Sequence, residues 1–199
     1  MADLLPKPPR RAGDKIRDSA RELFYRDGIR AVGVDEIVTR AGVTKPSLYR
    51  NFGSKDELTV AVLHESEAGF WLRWDEAMAA HPADPRAQIL AFFQRLAERS
   101  SKEDYRGCSL TNAAVEYPDA DHPARQVAQA HKRDLRARLR DKAAELGAAD
   151  PDGLGDALTI LVEGAYVSSQ LFGKGGPSGS VGHAAQALID AFANPQARP

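Results

Sequence analysis

The stretch VDEIVTRAGVTKPSLYRNF, Val34 to Phe52, decides how the first third of the chain folds. Val34, Ile37, Val38 and Ala41 recur at helical spacing. Gly42 follows, a residue able to take the left-handed conformation that ends a helix. Thr44 then stands at an N-cap position, and Pro46 is tolerated in a first helical turn. Leu48 and Phe52, four apart, are expected to point back onto the first helix. Two short helices joined by a tight glycine turn form a helix-turn-helix, whose second helix enters the DNA major groove. On this reading Lys45, Ser47, Tyr49, Arg50 and Lys55 face DNA.

Outward from that stretch, residues 13–28 read as a helix with Asp14 as its cap. Ile16, Ala20, Leu23 and Phe24 form its apolar stripe, and Gly28 ends it. On the other side, Ser54 followed three residues later by Glu57 is a capping-box pattern. It opens a long helix, to about His81, that carries Leu58, Val62, Phe70, Trp71 and Trp74 before HPADP breaks it. Further helical segments are expected at 86–99, 108–116, 124–146, 154–172 and 183–192, with a flexible Gly-rich connector at 173–182. No alternating strand pattern occurs. The expected fold is therefore all-α: a three-helix DNA-binding domain at residues 13–60 and a helical domain at 61–199. Residues 1–12 read as a basic arm, in which Pro6, Pro8 and Pro9 oppose helix beside Lys7, Arg10 and Arg11. It is either a disordered terminus or an arm reaching phosphate or the minor groove.

Charge is distributed unevenly. Residues 1–62 hold 12 Lys/Arg against 9 Asp/Glu, and the remainder hold 15 against 19. A basic segment ahead of an acidic one suits a nucleic-acid module on a domain that leaves DNA alone. One cysteine excludes an internal disulfide. The chain contains neither a run of about 18 apolar residues nor a signal-peptide core, so a cytoplasmic protein without a membrane segment is expected. HExxH, GxSxG and Walker patterns are missing, so no enzyme is expected. Asp119, Asp121 and His122 read as a solvated turn rather than a metal site, and no cofactor is expected.

The segments Val34-Asp35-Glu36-Ile37, Ala41-Gly42-Val43-Thr44-Lys45-Pro46-Ser47-Leu48-Tyr49-Arg50-Asn51-Phe52 and Ser54-Lys55-Asp56-Glu57-Leu58 resemble the signature of the TetR family of bacterial transcriptional regulators. The resemblance covers about residues 13–62. Beyond it, helix number and order are similar, and Arg106-Gly107-Cys108-Ser109-Leu110-Thr111-Asn112-Ala113-Ala114 resembles a stretch of some members' C-terminal domains. Membership implies a nine-helix subunit and a homodimer paired mainly through the last two long helices, here about 154–172 and 180–193. It also implies binding of double-stranded operator DNA with a palindromic sequence, and a C-terminal pocket for a small-molecule inducer that releases it. Most members repress.

The resemblance and the residue chemistry together mark candidate sites. Thr44, Tyr49 and Lys55 match phosphate-contacting positions; Lys45 and Ser47 are better placed for base edges, with Pro46 offering apolar contact and Arg50 a further DNA-facing candidate. Tyr49 packing on the core, or Lys55 as a mere capping-turn charge, are the plainer alternatives. An apolar ligand pocket is expected from Phe70, Trp74, Phe93, Tyr117 and Tyr166, with Asn112 and His131 as polar anchors and Glu116, Glu163 and Gln170 as further candidates. Cys108 is either a redox or electrophile sensor or a small buried hydrophobe. For the dimer, Gly164, Ala165, Ser168 and Ser169 are expected to allow close approach, with Leu158, Leu161 and Val162 supplying area.

Overall fold

The computed structural model describes residues 11–193. The order is α1 (Ala12–Asp27), α2 (Val34–Ala41), α3 (Lys45–Asn51), α4 (Lys55–Ala79), α5 (Pro85–Ser100), α6 (Ser109–Glu116), α7 (Pro123–Glu145), α8 (Pro151–Phe172), a 3-10 turn (Pro177–Ser180) and α9 (Val181–Ala193). Among the described residues there are nine α-helices and no strand. Two compact units, Met1–Leu63 and His64–Pro199, divide the chain, and α4 carries the backbone from one into the next.

In the first unit, Ile16, Ala20, Leu23, Ile37, Leu48 and Leu58 are almost completely buried, with Phe24 and Val38 beside them. Each fully buried aliphatic chain contributes about 1.5–3 kcal/mol, enough for three short helices to hold one another. Asp14 does not cap α1: the N-cap is Arg11, and Asp14 lies in the first turn, bound to Arg17 at 2.9 Å. A carboxylate there still meets the positive end of the helix dipole. The expected arm at residues 1–12 falls outside the described residues except at its end, where Ala12 is already helical.

The second unit holds the rest of α4 and α5 to α9. Asp84 caps α5 through Ala87 N (2.9 Å) and Asp150 caps α8 through Gly153 N (2.9 Å), each followed by a proline at the first helical position. α8 thus starts at Pro151, three residues before the expected 154, and α7 starts at Pro123. Proline's fixed φ and missing N–H suit a first turn, so these prolines open helices instead of ending the segments before them. The turn between α4 and α5 holds Ala83 at φ 61°, a left-handed position that a non-glycine side chain rarely takes. The connector 173–182 has more structure than expected: its 3-10 turn buries Ser178 and runs straight into α9.

α7 and α8 approach closely at Gly155, where a Cβ would lie 2.8 Å from both Cα and N of Arg140. Beside that contact Asp156 receives bidentate bonds from Arg136 (2.6 and 2.7 Å) and Arg140 (2.9 and 2.8 Å). The hydrogen bonds from Arg136 and then Arg140 hold the Asp156 carboxyl far below the usual range.

Phe70, Trp71, Trp74, Phe92 and Phe93 form a continuous edge-to-face chain with centroids 4.9–6.2 Å apart. His131 is fully buried against it, 4.7 Å from Phe70 and 5.0 Å from Trp71. Burial, then the neighbouring Lys132 charge, pushes its pKa down to about 4 from 6.5. The folded-state value lies below the unfolded one, so as pH falls the unfolded chain takes up this proton first. Stability from His131 is full above about pH 6.5 and drains away towards pH 4, by about 2 kcal/mol between pH 7 and pH 5. Thermal melts at the two pH values check this: His131→Gln is expected to shrink the difference, and an unchanged difference would exclude His131 as its source.

Candidate nucleic-acid interface and ligand cavity

The turn that aims α3 is set by Gly42. Its φ of 65° and ψ of 38° place it in the left-handed region. Gly42 N donates to Thr39 O at 3.2 Å and Val43 N to Val38 O at 3.0 Å, the paired bonds of a Schellman motif. Thr44 is the N-cap of α3 by position, but its side chain makes no capping bond; its carbonyl accepts from Ser47 N (2.9 Å) and Leu48 N (3.1 Å). The hydroxyl is therefore left for another donor or acceptor. Leu48 is buried and anchors the helix, while Phe52 is only half-buried.

Thr44, Lys45, Pro46, Tyr49 and Arg50 are exposed, and Ser47 is half-buried. Tyr49 leaves 50% of its surface open, so its ring is not part of the three-helix core. Asn51 turns back along the helix, its Nδ2 donating to Ser47 O at 2.7 Å. At the start of α4, Ser54 Oγ accepts from Glu57 N (3.0 Å) and Glu57 Oε2 accepts from Gly53 N (3.0 Å). The return bond of this capping box reaches one residue further back than the usual Ser54 N. Lys55 lies with its Nζ 5.9 Å from the Phe24 ring centroid.

One feature escaped the sequence reading. Lys45 Nζ is 2.8 Å from Asp35 Oδ1, an exposed ion pair between α3 and α2. The hydrogen bond to Asp35, reinforced by its charge, raises the lysine pKa. An ammonium held this way has one of its three donors committed to Asp35 and part of its charge answered before it meets a base or phosphate. Only the fold brings positions 35 and 45 together, although an acidic residue at the start of the preceding helix was a visible signal.

The expected ligand residues do not form one lining. Phe70, Trp74, Phe93 and His131 share the packed aromatic core. Tyr117 instead stacks on His122 at 3.8 Å, and Asn112 bonds Arg106 O (2.9 Å) and Gln170 (3.3 Å). Glu163 holds Lys132 at 2.7 Å and accepts from Thr111 at 2.8 Å. Hollows are present among the described residues of this unit. A cavity of about 20 Å³ is lined by Phe70, Arg73, Phe92, Arg95, Leu96, Arg99 and Tyr166. An open groove of about 310 Å³ is lined by Ala114, Ala128, Gln129, Lys132, Arg133, Arg136 and Thr159. The arginines of the first were absent from the expected lining, since charges on helices read as solvated faces. Tyr166 is buried, and burial raises its phenol pKa.

Cys108 is the N-cap of α6 rather than a helical residue. It is 8% exposed, with Lys132 Nζ 3.6 Å from its sulfur. The turn before α7 is internally bonded: Asp119 Oδ1 accepts from Asp121 N (3.0 Å), and His122 Nδ1 accepts from Ala124 N (3.3 Å). Among the described residues no three His, Cys, Asp or Glu side chains are grouped to hold a metal, and no helix is long and apolar enough to cross a membrane.

On α8, Ala165 and Ser169 are buried inside the subunit, as are Leu158 and Val162. These expected dimer residues are therefore core. The exposed apolar stripe is Ile160 (73%), Val167 (48%) and Leu171 (71%), with Phe172 beside it and a Cβ on Gly164 meeting nothing within 4 Å. On α9 the exposed Ala184, Ala187 and Ala191 repeat at the same helical spacing.

A glycine-turned pair of short helices with a polar, exposed second helix, joined through α4 to a larger helical unit, is the arrangement of a helix-turn-helix DNA-binding regulator. Residues 16–62 match the sequence model of the bacterial regulatory proteins of the tetR family, and residues 85–185 match the tetracyclin repressor-like C-terminal domain. The chain belongs to the TetR family of transcriptional regulators. It is 31% identical over 158 residues to the transcriptional regulator AcuR of Cereibacter sphaeroides, covering 75% of this chain and 72% of AcuR. It is 49% identical over 59 residues to the transcriptional activator FasR of Mycolicibacterium smegmatis, a match of 30% of this chain and 26% of FasR. The crystal structure of SCO4454, a TetR-family regulator from Streptomyces coelicolor, superimposes with a TM-score of 0.86 at 28% identity, over 92% of this chain and 96% of that one.

Proposed function

We propose that the protein is a homodimeric repressor that binds a palindromic operator through two copies of α3 and leaves it when a small molecule enters the second unit. The observation that carries the DNA reading is the exposed run Thr44 to Pro46 with Tyr49 and Arg50, set outward by the Gly42 turn on a buried Leu48 anchor. Thr44, Tyr49 and Lys55 hold phosphates; Lys45 and Ser47 read base edges, Pro46 touches a thymine methyl, and Arg50 adds charge. With little base discrimination from Pro46 and Ser47, DNA shape and half-site spacing weigh heavily in operator choice. The α8 stripe of Ile160, Val167 and Leu171 supports pairing of two subunits, since an exposed apolar face of this kind marks an interaction site. The hollow of the second unit walled by Phe70, Phe92 and Tyr166 supports an inducer site.

An operator selected from random duplexes supplies the test, read by fluorescence anisotropy. Tyr49→Ala removes a phosphate contact from each half-site and is expected to weaken binding about 10- to 100-fold, with the fold intact. Asp35→Asn frees Lys45 and removes a negative charge near the phosphates. It is expected to tighten binding about 3- to 10-fold and to steepen the salt dependence by about one to two ions per dimer. Unchanged affinity in both variants would sink the assignment of this face. Transcription from a promoter carrying the operator, with and without the protein, decides repression against activation.

A further inference from the structure

The cavity beneath α4, α5 and α8 carries more positive charge than its surroundings answer. Arg73, Arg95 and Arg99 stand around walls made by Phe70, Phe92, Leu96 and Tyr166. Arg95 is paired with Glu76 at 3.2 Å. Arg99 lies over the Tyr105 ring, 5.5 Å from its centroid. Among the described residues Arg73 has no ion-pair partner, and its Nε is buried without a hydrogen-bond partner. The groups that bear most on its guanidinium are Arg99, Tyr166, Tyr105 and Cys108, and none is a carboxylate. Burial and the repulsion from Arg99 both work against its charge.

A buried donor left unsatisfied is unfavourable by an amount comparable to a lost hydrogen bond, and two unshielded guanidinium groups add repulsion. Structural arginines are normally placed against carboxylates, as Arg136 and Arg140 are here against Asp156. In the open groove on α7, Lys132 is held by Glu163 and Arg136 by Asp156. In the α4–α5–α8 cavity this compensation is missing at Arg73 and Arg99. An anion would supply it, and a guanidinium fork matches a carboxylate with two parallel bonds. The rest of the wall is aromatic and aliphatic, which favours an anion with an apolar part over phosphate or sulfate. A volume of about 20 Å³ leaves room for little more than one water, so the ligand is compact and the arginine side chains shift outward to admit it.

We propose that this cavity binds a small organic carboxylate, with Arg73 and Arg99 clasping the carboxylate and Phe70, Phe92 and Leu96 receiving its short apolar part. The proposal deepens the inducer reading above and rests on it for the consequence, release of DNA, but not for binding itself. It makes the inducer an acid rather than a neutral compound.

Binding is measured first without DNA, by calorimetry on the full-length protein. The probes are propionate, butyrate, hexanoate and benzoate at constant ionic strength, each beside its neutral amide. At least one acid is expected to bind ten times more tightly than its amide or better. Arg73→Gln and Arg99→Gln are each expected to weaken that acid at least tenfold, and Arg133→Gln in the open groove to leave it unchanged. Unliganded Arg73→Gln is expected to melt at or above the wild-type temperature, because an unanswered charge is gone. If it melts lower, Arg99→Gln carries the comparison alone. No binding by any acid, equal binding by the amide, or full affinity in Arg99→Gln overturns the proposal. Operator release is then read separately. An acid that binds without releasing DNA keeps the site and removes the inducer reading; a neutral compound that releases DNA while no acid binds does the reverse.

Discussion

Replacing both Ile160 and Leu171 by glutamate is expected to turn the proposed dimer into a monomer and to lower operator affinity by more than 100-fold. The two side chains are 73% and 71% exposed on α8, so a single subunit loses little by the change and its helicity should stay as it is. In a two-fold interface every substitution appears twice, so the pair puts four carboxylates into one apolar contact. Each charge buried there without a partner is unfavourable by several kcal/mol, which moves the dissociation constant by three orders of magnitude or more. A lone subunit then presents one α3 to a two-part operator and loses the second half-site. Sedimentation equilibrium reads the mass and anisotropy reads the DNA. A variant still dimeric at micromolar concentration would show that the subunits pair elsewhere.

The second large effect is on stability. Gly155→Ala is expected to lower the melting temperature by roughly 5–12 °C, or about 2–4 kcal/mol. The new methyl would lie 2.8 Å from backbone atoms of Arg140, and backbone cannot rotate aside as a side chain end can. α7 and α8 must separate, loosening packing along two of the longest helices and the Asp156 bonds beside the contact. Alanine's better helix propensity gives back about 1 kcal/mol and does not reverse the sign. Gly164→Ala on the same helix isolates that smaller term, because its Cβ meets nothing within 4 Å; it belongs in the monomeric background, where no partner covers the site. Equal melting temperatures for Gly155→Ala and wild type would show that the two helices part without loss.

Much of the architecture was legible from local chemistry. Gly42 announces its own left-handed turn, Ser54 and Glu57 announce the start of α4, and the apolar spacing of α1 and α2 selects the residues that are buried. These signals work because capping and amphipathicity act within a few residues. Asp14 misled because an acid in the first turn and an acid at the N-cap leave similar sequence traces. Asp-Pro before α5 and α8 can be read as a stop or as a capped start, and here it is the latter.

The side of α8 that faces out was not legible. The helix is apolar nearly all round, so periodicity offers Leu158 and Val162 as readily as Ile160 and Leu171 for the partner face. Packing against α7 chooses, through the one face where Gly155 permits contact. The candidate ligand residues divide for a related reason. Trp74, Phe93 and His131 are packed into the core, while Phe70 and Tyr166 also line the small cavity.

By itself, the sequence determined the helices, the helix-turn-helix and the family, because caps, turns and hydrophobic period are short-range and independent of what lies opposite. Only the tertiary structure decided that Lys45 rests on Asp35, that α8 turns Ile160 and Leu171 outward, and that Arg73 and Arg99 share a hollow with no acid to answer them. Each of these depends on distance between charges or surfaces far apart in the chain, and Coulomb interaction and packing act through space rather than along the backbone.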